Sequence, residues 1–216
     1  MFLPNPGIMA AGAGVAPPGQ QLFLGNGAFV VPEGVFSICI VSIGPGGASG
    51  YDGPAVGSGS GGGLAFSNNL PTTPGETLTV SNFIVYRGEV PLVGASAGNR
   101  LTPGTGLYGE FKRTGGAGKS VRYNYRASGA GAAGYTGDGW PGEETGSNLE
   151  NGGGGTSPLG GGAGAAAGAS NTSQGAAYGG GGAYLADNQS QPGGPGCVRF
   201  MWGAGRAFPN TNTGDL

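Results

Sequence analysis

Glu143 and Glu144 stand beside Trp140-Pro141-Gly142, and Asp138 lies just ahead of the tryptophan. Two acids flanking one bond, next to an aromatic ring, are the equipment of glycoside hydrolysis. Adjacent residues on an extended chain point to opposite faces, however, so this pair is badly placed to act across a single bond. An exposed loop with an aromatic tip accounts for the same residues. Gly115-Gly116-Ala117-Gly118-Lys119-Ser120 approaches the phosphate-binding pattern G-x-x-x-x-G-K-[ST], but Arg113 stands where the first glycine belongs. No helix signal follows it to supply the N-terminal dipole, so a turn between strands is expected. The chain has no histidine, which removes the usual general base and the commonest metal ligand. No catalytic, cofactor-binding or metal-ligating residue is expected, and the chain does not read as an enzyme.

Binding chemistry is better represented. Residues 87–126 hold seven basic side chains (Arg87, Arg100, Lys112, Arg113, Lys119, Arg122, Arg126) against Glu89 and Glu110, a local balance of 7 − 2 = +5. Within this stretch Val121-Arg122-Tyr123-Asn124-Tyr125-Arg126 alternates. A strand there would turn Val121, Tyr123 and Tyr125 to one face and Arg122, Asn124 and Arg126 to the other. Such a face is either a solvated exterior or a docking surface for an anionic partner, since arginine pairs bidentately with phosphate or carboxylate and tyrosine stacks on sugars. Tyr51, Tyr135 and Trp140 occur in glycine-rich loops, where a rigid amphipathic ring often marks recognition. The candidate partner or receptor contacts are therefore Arg122 to Arg126 together with these three aromatics.

The elements that must hold these residues are unusual. Glycine supplies 54 of 216 residues and charged residues only 9%, so neither an ordinary globule nor a charged disordered chain is described. A formal charge of −2 gives no global attraction to nucleic acid or to a membrane surface, and no nucleic-acid partner is expected. No window reaches the run of about 18 apolar residues that a spanning helix needs, and the first twenty residues lack the basic region of a secretory signal. Val35 to Ile43, preceded by Phe29-Val30-Val31, reads as a long β-branched strand buried on both faces. Thr77 to Tyr86 reads as a second strand and Cys197 to Trp202 as a third. Cys39 and Cys197 lie inside these strings, as buried thiols or as a disulfide joining the first and last main strands.

Between the strings run glycine blocks at 57–63, 129–142, 152–155, 160–168 and 179–182. Polyproline-II geometry turns every backbone N–H and C=O outward, and glycine lets neighbouring segments come close enough to satisfy them. The expected fold is mostly β with essentially no helix. A small β-sandwich-like core would carry glycine-rich segments, packed as polyglycine bundles or left as flexible loops. Residues 1–21 form an N-terminal arm, 22–203 the glycine-rich β domain with 87–126 as a basic insert, and 204–216 an extended tail. So small a core leaves little stability to spare, which favours oligomerisation.

Three motifs add a resemblance. Phe29 to Ile43 running into Gly44-Pro45-Gly46-Gly47, the segment Thr73-Pro74-Gly75-Glu76-Thr77-Leu78-Thr79-Val80, and Gly193 through Gly203 together resemble the glycine-rich domain of bacteriophage tail fibres and other virion proteins. The stretch Trp202 to Thr213 is similar to the ending of such proteins in marine phages, cyanophages especially. The resemblance implies a virion protein assembled in the host cytoplasm. Its expected role is a tail-fibre or tail-tip adhesin, working with other virion proteins as a trimer or hexamer and contacting a host glycan or lipopolysaccharide. A head decoration, minor capsid or tail-connection subunit is the alternative role.

Overall fold

The computed structural model describes residues 16–52, 55–121, 125–145, 155–165, 174–185 and 190–210. These residues form β-strands and no helix: β1 (Gly19–Phe23), β2 (Gly27–Val30), β3 (Ser37–Ile43), β4 (Gly50–Asp52), β5 (Ala55–Gly57), β6 (Leu64–Pro71), β7 (Thr77–Ser81), β8 (Ile84–Arg87), β9 (Val90–Ala95), β10 (Gly106–Tyr108), β11 (Phe111–Arg113), β12 (Ser120–Val121), β13 (Arg126–Ala127), β14 (Glu144–Thr145) and β15 (Cys197–Trp202). Among them, therefore, no helix is long and apolar enough to cross a membrane. All strand pairs are antiparallel.

Two five-stranded sheets make a sandwich, in the orders β1-β15-β3-β6-β11 and β10-β9-β8-β7-β2. Alternation along β3 explains its continuous apolar string. Ile38 and Ile40 enter the core between the sheets with Phe29, Leu78, Val85, Val93 and Phe200. Cys39, Val41 and Ile43 face the other side, where Phe66, Met201, Tyr135 and Phe208 cover them. The central strands β3 and β15 are thus buried on both faces, as the sequence of β3 requires. Phe29 stacks on Phe200 with ring centroids 4.2 Å apart, tying the sheets together across the sandwich.

Three expectations need correction, and the two readings of the cysteines resolve to buried free thiols. Thr77 to Tyr86 is not one strand but the hairpin β7–β8, because Asn82 and Phe83 both adopt positive φ (49° and 61°), as a two-residue turn matching strand twist demands. Asn26 Oδ1 accepts the Asn82 N–H at 2.9 Å and supports that turn. Residues 87–126 are no insert beside the fold, since they supply β9, β10 and β11 to the two main sheets. The described part of the C-terminal tail folds back, with Phe208 buried against sheet residue Phe66 and Tyr135. Finally, Cys39 and Cys197 are free. Cys39 pairs with Met201 and Cys197 with Ile43, so they stand four residues apart along adjacent strands, about 13 Å, beyond disulfide reach.

From the sandwich grows a bundle of extended glycine-rich segments. Segment 58–63 shows its construction. The N–H groups of Gly59 and Gly62 donate to Gly182 and Gly179, those of Ser58 and Gly61 to Lys119 and Gly116, and those of Ser60 and Gly63 to Asn99 and Ser96, at 2.8–3.2 Å. Its carbonyls at Gly59 and Gly62 accept from Ala130 and Ala133, those at Ser60 and Gly63 from Gly47 and Gly44, and that at Gly61 from Gly104. Partners repeat every third residue, the turn length of a polyproline-II helix. One segment therefore has six neighbours: 44–47, 96–99, 104, 116–119, 130–133 and 179–182.

Segment 129–133 is enclosed in the same manner, bonded to 59–62, 116, 140, 155, 162–165 and 181. A Cβ on Gly59 would lie 1.8 Å from Gly47 O, and one on Gly61 1.9 Å from Gly131 O. Where slightly more room exists, Ala130, Ala132 and Ala133 are fully buried. Ser58 and Ser60 hydroxyls accept the Lys119 and Gly118 N–H groups at 2.9 and 2.8 Å.

Two outcomes follow. Gly61→Ala lowers unfolding stability by about 1–3 kcal/mol or more, the cost of overpacking, whereas Gly25→Ala, which meets nothing within 4 Å, shifts it by about 0.5 kcal/mol or less; chemical denaturation of both variants checks this. Burial pushes the Cys197 thiol from 9.0 up to about 12 and raises Cys39 as well. The contribution of Cys197 to stability is present below pH 9.0 and is lost as pH climbs towards about 12. Thiol-reactive dye should leave both cysteines unmodified near neutral pH until the protein unfolds, and the midpoint of denaturation should fall as pH rises above 9.0.

Candidate functional site

The end of the bundle away from the sandwich is closed by two small sheets, β12-β5-β4 and β13-β14. An isolated bridge joins Ala127 to Tyr184. Val56, Val121, Ala127 and Tyr184 form a separate apolar cluster there, with Tyr125 packed against it. This cluster fixes the pole, because the glycine segments themselves have no side chains to interlock. The strands β4, β5, β12, β13 and β14 and the bridge at Tyr184 all lie at this pole.

Between β12 and β14 lies an open cleft of about 420 Å³ lined by Ser120, Val121, Tyr125 and Glu144. The strand expected over Val121 to Arg126 is divided. β12 pairs with β5, whereas β13 pairs with β14, in a different sheet. Val121 and Tyr125 nevertheless meet in one apolar cluster, consistent with their shared parity. Arg122, Tyr123 and Asn124 lie outside the described residues. Arg126 has its Nε and Nη1 buried, so those nitrogens face the protein. Tyr51 is in β4 opposite Val56.

The remaining aromatics separate. Tyr135 is 3% exposed, stacked on Phe208 at 5.3 Å and edge-on to Phe66 at 5.5 Å. It is a core residue where the bundle meets the first sheet, which corrects its reading as a surface contact. Trp140 is 64% exposed on the flank of the bundle, where its backbone carbonyl, rather than its ring, is used structurally by accepting from Gly131.

The other chemistry-bearing residues have structural partners. Asp138 Oδ1 accepts the Thr114 N–H at 2.8 Å, and the Glu143 N–H donates to Ser128 Oγ at 2.8 Å. In the segment resembling a phosphate loop, the Gly115 and Gly116 N–H groups donate to Gly104 and Gly131, and that of Gly118 to Ser60 Oγ. Those amides are committed to the bundle and form no anion cradle. Among the described residues no group of three or more His, Cys, Asp or Glu side chains could hold a metal ion.

Sequence reading missed Ser120 and the approach of Glu144 to Tyr125, since the β13–β14 pairing closes a loop that no local pattern announces. No protein-family model matches this chain, and no curated protein sequence matches it.

The two aromatics, one buried and one exposed, should behave oppositely on truncation. Tyr135→Ala loses about 3–5 kcal/mol, as large aromatic truncations in cores do, while Trp140→Ala stays within about 0.5 kcal/mol of the parent; thermal and denaturant unfolding of the pair measures both.

Proposed function

We propose that this chain is a structural protein of a bacteriophage particle, carried on a tail fibre or tail tip, that contacts host-surface glycan through the pole distal to its sandwich. The observation that carries the reading is the division of labour along the molecule. Strands resembling the virion glycine-rich domain build the sandwich at one end. A laterally bonded bundle projects from it to the two small sheets and the apolar cluster at the far pole. Loops held by a rigid scaffold are where binding residues concentrate.

The chemistry agrees with contact rather than catalysis. Asp138 is bonded to backbone, and Glu143 and Glu144 are neighbours on an extended segment. Assembly with other virion proteins and with further copies of itself belongs to the same proposal, the sandwich end being the side free to attach.

Labelled antibodies against this chain, applied to intact particles of the phage that encodes it, test the assignment. Labelling confined to the tail fibre or tail tip is the expected outcome, and antibody pre-incubation should cut adsorption to host cells at least about tenfold. Dense labelling of the head would overturn the adhesin reading in favour of a decoration role.

A further inference from the structure

The distal cleft has a chemical character that the local charge of the sequence does not suggest. Residues 87–126 carry a balance of +5, and a basic face there would call for phosphate or acidic sugar. Among the described residues that line the cleft, Glu144 is the charged one. Arg126 has its Nε and Nη1 buried, whereas Glu144, on the partner strand β14, lines the cleft and is exposed.

Ser120 and Tyr125 line the same cleft. Tyr125 is held by packing against Val56, Val121, Ala127 and Tyr184, so its orientation is set before any ligand arrives and little rotamer freedom is lost on binding. The volume of about 420 Å³ falls in the range of about 300–1,000 Å³ typical of small-ligand sites.

We infer that this cleft binds one uncharged pyranose unit of a surface polysaccharide, with two sugar hydroxyls donating to the Glu144 carboxylate, a third exchanging a hydrogen bond with Ser120 Oγ, and the apolar face of the ring lying on Tyr125. A carboxylate is an acceptor only and forms strong bonds to donors such as vicinal hydroxyls. A phosphate or carboxylate group on the sugar adds acceptors and a like charge beside Glu144, so it is disfavoured. Tyrosine offers an apolar face with a polar tip, as a pyranose does. The source of the sugar rests on the host-contact reading above; the chemistry of the cleft does not.

Ligand-detected NMR and calorimetry on the intact chain provide the test. The probes are the methyl glycosides of glucose, galactose, mannose and N-acetylglucosamine, set against methyl glucuronide and glucose 1-phosphate. At least one neutral glycoside should bind saturably and the two anionic probes should not. Glu144→Gln should weaken the neutral ligand at least about tenfold, the loss of a charge-assisted hydrogen bond. Tyr125→Phe, which keeps the ring and its packing, should change affinity less than about threefold, and Tyr125→Leu should abolish binding.

The control Val30→Ser, on an exposed position of the sandwich, should leave binding unchanged. Absence of binding by all four neutral glycosides overturns the inference, as does equal binding of an anionic probe or an unaltered affinity in Glu144→Gln. Because purified protein is used, the cleft can fail while antibody labelling still places the chain on the tail, and the converse holds equally.

Discussion

Everything in this molecule depends on hydrogen bonds between backbones that touch. Segment 58–63 bonds sideways to six other segments, a density of lateral pairing that a β-sheet, with two neighbours per strand, cannot reach. The distances permit no side chain: a single added carbon at Gly59 would fall 1.8 Å from a carbonyl oxygen. Glycine loses more conformational freedom on folding than any other residue, costing about 0.5–1 kcal/mol relative to alanine at each position. Its use here is therefore a steric requirement. The gain comes from satisfying nearly every interior amide and carbonyl away from water, where an unpaired one would be expensive.

That constraint determines what the rest of the chain must do. A lattice of bare backbones has no interlocking side chains to fix register, so it is clamped at both ends. At one end the clamp is the double-sided first sheet, with Tyr135, Phe66 and Phe208 stacked where the bundle lands. At the other it is the small cluster of Val56, Val121, Ala127 and Tyr184. The first and last strands are drawn together as well: Gln20 Oε1 accepts from the buried Arg199 and from Arg206, the latter at 3.0 Å, which joins β1 to β15 and to the turn beyond it. The proposed sugar contact belongs to side chains mounted outside the second clamp.

How much of this was legible depends on whether a residue's neighbours in space were also neighbours in sequence. Cys197 to Trp202 is a strand from end to end because alternation is a local property, and the burial of Ile38 to Ile43 on both faces was readable for the same reason. The hairpin at Asn82-Phe83 was hidden because a phenylalanine occupies a position where glycine usually signals the turn. Tyr135 looked like a loop aromatic because it stands alone among glycines; its partners Phe66 and Phe208 are 69 and 73 residues away. Glycine composition suggested close backbone packing, but the order of segments could not be read, since one glycine block looks like another. The cleft suffered the same limit: Tyr125 and Glu144 meet through a pairing that spans nineteen residues.

Native-state hydrogen exchange, resolved to single amides by NMR, bears most directly on the central claim. Amides of Gly59, Gly61, Gly62, Gly131 and Gly181 should exchange as slowly as those of β3 and β15 and should be released only with global unfolding. Exchange of these glycine amides at unprotected rates, while the sandwich strands stay protected, would contradict the lattice and leave the glycine blocks as loose loops on a β core.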